Sequence, residues 1–172
     1  LSGKSALVWG GSKGMGYAAA RRLALEGADV VIAARTEATL QGAAQALSQA
    51  LSQDCGRTVR YVVADITRNA GREAALAACP QPDILVNNSD GYPPGDFREW
   101  TQETWHEALD MMMIGPIDMI RRVVDGMQER RYGRIINIVS RSVAVAHAEL
   151  GLSNGARSGL VGFVAGLARQ TV

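Results

Sequence analysis

The stretch VWGGSKGMGYAAA, residues 8–20, constrains the fold more than any other part of the chain. Gly10, Gly11, Gly14 and Gly16 separate a short apolar run, residues 5–9, from a segment with an apolar side, residues 15–26. Glycine tolerates backbone conformations closed to other residues and carries no Cβ, so such a turn can be tight and can approach a ligand closely. A strand that feeds the turn and a helix that leaves it aim unpaired N–H groups and the positive end of the helix dipole at the same place. That arrangement suits a pyrophosphate. Residues 14–19 fit G-x-G-x-x-A, but the wider G-x-x-x-G-x-G from Gly10 to Gly16 begins where the strand ends and is the better register. The loop therefore predicts a dinucleotide cradle made by Gly10, Ser12, Lys13, Gly14, Met15 and Gly16.

Strand-like and helix-like segments alternate along the rest of the chain. Strands are predicted over 29–34, 59–64, 84–88 and 134–139, and helices over 37–53 and 70–79. A helical pattern over 102–131 carries a break near Gly115-Pro116, and a last helix starts near Ser153. The strand runs are nearly all apolar, the mark of parallel strands buried on both faces. The pattern predicts an α/β fold, a doubly wound parallel sheet of Rossmann type in three layers. The 172 residues suit one dinucleotide-binding domain. The final VAGLARQTV is still helical in pattern, with no Gly or Pro stop, so the C-terminal strands of such a sheet are expected beyond residue 172. Ligands of these sheets lie beyond the carboxyl ends of the strands, which singles out loops 10–16, 87–95 and 140–152.

The second predicted strand ends in Arg35, about 20 residues beyond the glycines. An acidic residue at that distance would bind a ribose 2′-hydroxyl, whereas an arginine suits a 2′-phosphate. Lys13 adds a second cation, so the predicted cofactor is NADP(H) rather than NAD(H). The net charge of +1, with scattered basic pairs, argues against nucleic-acid and acidic-membrane partners. Cys55 and Cys79 have no metal-ligand spacing and read as free thiols of a reducing compartment, with no metal site. No apolar run approaches a membrane span and no signal peptide is visible, which points to the cytoplasm.

With these motifs in order, the chain resembles a short-chain dehydrogenase/reductase, in the style of the 3-oxoacyl-acyl-carrier-protein reductases. The resemblance rests on the Gly10–Gly16 loop, on Asp65 and Ile66 after VVA, on LVNNSDG with Asn88 and Ser89, and on GRIINIVS, which ends in Ser140. It implies that Asp65 contacts the adenine, that Ser140 is the active-site serine, and that hydride passes between nicotinamide and a carbonyl or alcohol carbon. Family members pair through long helices, so the resemblance also implies a homodimer or homotetramer. The apolar face Leu160, Val161, Val164, Leu167 and Ala168 would need cover.

The chain departs from the family pattern in its chemistry. Trp9 stands for a threonine, Ser89 and Asp90 for Ala and Gly, and Met112 for an asparagine. Counted from Ser140, the Tyr-x-x-x-Lys positions fall on Ser153 and Arg157. Serine is a far weaker acid than tyrosine, and arginine does not give up its proton. Arginine can still hold donors toward a ribose or a developing oxyanion. Ser153 and Arg157 share a helix face. With Ser140 they form the candidate catalytic set: Ser140 and Arg157 polarise the substrate oxygen and Ser153 relays a proton. The competing reading is a catalytically silent NADP(H)-binding protein, a sensor or an oligomer partner. Tyr92 and His147 are alternative donors, read more simply as a packed loop aromatic and an exposed polar residue. Ser153 also suits a helix N-cap, and the Met111–Met113 run reads as core filling.

Overall fold

The computed structural model describes residues 1–54 and 58–170, with no side-chain detail for 52–54. Cys55 lies outside the described residues. Five parallel strands form one sheet: β1 (Ser5–Trp9), β2 (Asp29–Ala34), β3 (Arg60–Val63), β4 (Ile84–Asn87) and β5 (Arg134–Asn137), in the order β3-β2-β1-β4-β5. The order reverses between β1 and β4, so the loops leaving these two strands open a crevice at the carboxyl edge. The helices are α1 (Gly14–Leu25), α2 (Glu37–Asp54), α3 (Asn69–Ala78), α4 (Gln102–Leu109), α5 (Gly115–Glu129) and α6 (Gly151–Leu167).

The period-2 alternation of side chains divides the core between the two faces. Ala6 and Val8 of β1 meet Val30 and Ile32 of β2 and the α1–α2 residues Ala20, Ala24, Leu40 and Leu47. On the other face Leu7, Trp9, Val31, Ala33 and Leu85 pack on Ala75 of α3 and on Met119, Ile120, Val123 and Met127 of α5. The three-layer expectation is met. A third cluster joins Ala108 and Met112 to Leu152 and Ala156 of α6, edged by Trp100 and Trp105, whose rings meet edge-on at 6.1 Å.

Four expectations need correction. Strand β3 lies at the edge of the sheet and is not buried on both faces: Val63 is exposed. An apolar run does not reveal which strand will lack a neighbour. Gly115-Pro116 does not break the helix. α4 runs into α5 through a π-helical turn, Asp110–Ile114, and the wider turn accommodates a proline, which has no N–H to give. The last helix starts at Gly151, so Ser153 lies inside its first turn and is not the cap, which falls on Leu150. The α6 face expected to need cover is divided: Leu160 is core and Val164 and Leu167 pack on the second cluster, while Val161 and Phe163 are exposed. Among the described residues no helix is long and apolar enough to cross a membrane.

Candidate functional site

A cleft of about 550 Å³ opens at the carboxyl edge of the sheet. It brings together residues from all five strand ends: the loop after β1, Arg35 after β2, Asp65 and Ile66 after β3, Asn88–Gly91 after β4, and Ile138 and Val139 after β5. Of the residues expected to hold the cofactor, Gly10, Ser12, Lys13, Gly14, Met15, Arg35, Asp65, Ile66, Asn88 and Ser89 line it. Gly16 does not. A Cβ there would meet the Gly10 carbonyl at 2.2 Å, so the glycine lets α1 press against the loop that it follows. Gly10 has a positive φ of 63°, and a Cβ on it would sit 2.1 Å from the Asn88 carbonyl oxygen. Asn88 Nδ2 donates to the Gly10 carbonyl at 3.2 Å, which ties the β4 end to the glycine loop.

The residues present fit a dinucleotide. Gly14, with φ +57°, has no atom within 4 Å of where a Cβ would be, so the backbone there is open to an approaching group. No side chain caps the first turn of α1, leaving its N–H groups for an anion. Arg35 and Lys13 supply cations, and the Asp65 carboxylate is oriented by the Thr67 N–H at 2.9 Å and hydroxyl at 2.8 Å.

The three candidate catalytic residues are placed unequally. Arg157 lines the cleft, but its side chain is buried, and burial pulls its pKa down. Its Nε donates to Ser153 Oγ at 3.2 Å, Nη1 to the Ile138 carbonyl at 3.0 Å, and Nη2 to the carbonyls of Ser89 at 3.3 Å and Asp90 at 3.4 Å. A guanidinium has five N–H groups. These four acceptors leave one N–H of Nη1 without a protein partner among the described residues. Ser153 is buried, accepts from Arg157 and does not border the cleft. Ser140 is half-buried. Its Oγ accepts from the Ser142 N–H at 3.1 Å, and no hydrogen bond joins it to Ser153 or Arg157. The expected pair on one helix face is thus present, with Ser140 outside it.

The alternative donors have other partners. Tyr92 Oη donates to Glu107 at 3.0 Å, a bond that raises the phenol's pKa, and the residue packs on the third cluster. His147 is exposed and meets Arg141 at 3.1 Å. Of the methionine run, Met112 is fully buried as expected, but Met111 borders the cleft. Asp90 is the residue that sequence reasoning missed. Its carboxylate meets Arg35 Nη2 at 2.8 Å and Lys13 Nζ at 4.0 Å. The signal was a carboxylate in the loop after β4, at the ligand edge, where the resemblance calls for glycine.

The model of the short chain dehydrogenase family matches residues 4–172. An uncharacterised oxidoreductase of Bacillus subtilis is 29% identical over 150 residues, covering 87% of this chain and 56% of the relative. The 3-oxoacyl-acyl-carrier-protein reductase of Escherichia coli is 31% identical over 174 residues, covering 99% of this chain and 68% of its own length. The structure of L-sorbose reductase from Gluconobacter frateurii, complexed with NADPH and L-sorbose, superposes with a TM-score of 0.90 at 29% identity, covering 99% of this chain and 65% of that one. The chain thus spans between about half and two thirds of the length of these proteins. The match runs through every strand end that borders the cleft, and the chain belongs to the short chain dehydrogenase family.

Proposed function

We propose that the chain binds NADP(H) in the carboxyl-edge cleft and serves an oxidoreductase acting on a ketone, an alcohol or a 3-oxoacyl-type substrate. The observation that carries this reading is the cleft itself, in which the glycine loop, Asp65, Asn88 and two cations at the β1 and β2 ends converge. The NADPH-bound sorbose reductase and the 3-oxoacyl reductases among the relatives support it.

The glycine-loop N–H groups and the α1 N-terminus would hold the pyrophosphate, Lys13 and Arg35 the 2′-phosphate, and Asp65 and Ile66 the adenine side, with Asn88 and Ser89 bordering the cofactor from the β4 end. When bound, the reduced nicotinamide supplies the hydride that adds to the carbonyl carbon. The chain's part is to hold the carbonyl oxygen and protonate it. Arg157 has one N–H to offer and keeps its own proton, so it polarises without acting as an acid. Ser140 donates a second hydrogen bond, while Ser153, buried beside Arg157 and away from the cleft, holds the guanidinium in place and is not set to relay a proton. Losing a well-placed general acid costs roughly a hundred- to ten-thousand-fold in rate, so turnover is slow. A homodimer or homotetramer through the exposed α6 residues Val161 and Phe163 completes the reading.

One observation favours a second reading, a catalytically silent NADP(H)-binding protein. Arg157 spends four of its five N–H groups on protein acceptors, and Ser153 is shut from the cleft. The test is NADPH oxidation against ketones and 3-oxoacyl thioesters by the intact protein and by Ser140→Ala, Ser153→Ala and Arg157→Ala. Activity lowered by these changes supports the enzyme. Activity indifferent to all three overturns the site. Tight NADPH binding with no turnover establishes the silent reading.

A further inference from the structure

The side chain that joins the two flanks of the cleft is Asp90. One carboxylate oxygen lies 2.8 Å from Arg35 Nη2, and the other lies 4.0 Å from Lys13 Nζ. The contact to Arg35 links positions 55 apart in the chain, the end of β2 and the loop after β4. The Asp90 backbone is tethered as well, since its carbonyl and that of Ser89 accept from the Arg157 guanidinium inside the protein. The carboxylate is therefore held near the two cations by a buried anchor. It does not reach them from a free loop tip.

We propose that Asp90 is a specificity-determining residue that competes with the 2′-phosphate of the cofactor for Arg35 and Lys13. This inference rests on the reading of those two cations as 2′-phosphate contacts. A phosphate and a carboxylate cannot both hold the same guanidinium edge without facing each other as like charges. Binding of a 2′-phosphorylated nucleotide must break the Asp90 contacts. A nucleotide with a free 2′-hydroxyl leaves them intact. Asp90 thus narrows the gap between NADP(H) and NAD(H) that Arg35 and Lys13 would otherwise open. All three side chains are more than half exposed, so each ion pair is weak and the effect is moderate.

The experiment is calorimetric titration with adenosine 2′,5′-bisphosphate and adenosine 5′-monophosphate. It uses the parent protein, Asp90→Asn, Asp90→Glu, and Arg35→Gln combined with Asp90→Asn. Asp90→Asn is expected to tighten the bisphosphate by roughly two- to tenfold, with the monophosphate unchanged. Asp90→Glu keeps the charge and the parent's ratio, and the double variant loses the gain. Three outcomes separate the claims. A parent that prefers the bisphosphate, with the ratio unmoved in Asp90→Asn, overturns the competition and leaves the NADP(H) reading standing. A preference that emerges only in Asp90→Asn supports the competition in its strongest form. No preference in any variant overturns both.

Discussion

Removing the Arg157 side chain tests what this arginine does for the fold. Arg157→Ala deletes hydrogen bonds to the Ile138 carbonyl at 3.0 Å and Ser153 Oγ at 3.2 Å, and the longer bonds to Ser89 and Asp90. A hydrogen bond to a charged group contributes about 1.5–3 kcal/mol net. The two longer bonds lie at the weak end of the geometric range and count for less. Burial of the cation has its own desolvation cost, visible in the lowered pKa, and the variant is relieved of it. The balance is a loss of about 2–4 kcal/mol. For a domain of this size each kcal/mol moves Tm by about 2–4 °C, so Tm should fall by roughly 5–15 °C. Thermal unfolding followed by circular dichroism reads this directly. Arg157→Lys keeps the charge but lacks the planar fork, so it can reach one carbonyl only and should fall between the two. A Tm within about 1 °C of the parent for Arg157→Ala would refute the claim that this side chain staples the β4 and β5 loops together.

Three further outcomes are expected. Asp118 on α5 meets Arg72, Arg121 and Arg122; burial pushes its carboxyl up, but the bonds from Arg122 and Arg121 outweigh this and hold the pKa at about 2, below the ordinary 3.8. A depressed carboxylate stabilises fully above the unfolded value and progressively less as pH falls toward the folded one, so about 2 kcal/mol should disappear between roughly pH 5 and pH 2, and acid titrations of Asp118→Asn should lack that component. Gly16→Ala puts a methyl 2.2 Å from the Gly10 carbonyl, which α1 cannot clear without shifting; NADPH affinity should fall at least tenfold in a fluorescence titration, and an unchanged affinity would refute the packing role. Ser153→Tyr combined with Arg157→Lys should raise NADPH-dependent ketone reduction by at least tenfold over the parent if the proton donor is the missing element, and a rate equal to or below the parent's contradicts that.

The parts of the fold written in local sequence were legible. Gly10–Gly16 behaves as a tight turn because its constraints, a positive φ and close backbone approaches, are properties of the glycines themselves. The place of Arg35 at the cleft follows from strand length and direction alone. What was not legible depends on partners far along the chain. Val63 is exposed because β3 lies at the edge of the sheet, and its side chain does not encode that. The π-helical turn at Asp110–Ile114 replaces the break that Gly115-Pro116 suggested, because packing continues across it through Met112 and Met119. The i,i+4 spacing of Ser153 and Arg157 was legible, but the carbonyls of Ile138, Ser89 and Asp90 that hold the guanidinium were not. The same holds for Asp90, whose partners lie 55 and 77 positions away.

The central claim is that the carboxyl-edge cleft selects a 2′-phosphorylated dinucleotide through Arg35 and Lys13. The most direct measurement is the ratio of NADPH to NADH affinity, by fluorescence titration, for the parent and for Arg35→Asp. The account predicts a parent that favours NADPH and a variant in which that preference collapses or inverts, with NADH affinity retained. An Arg35→Asp variant that keeps the parent's ratio would contradict it.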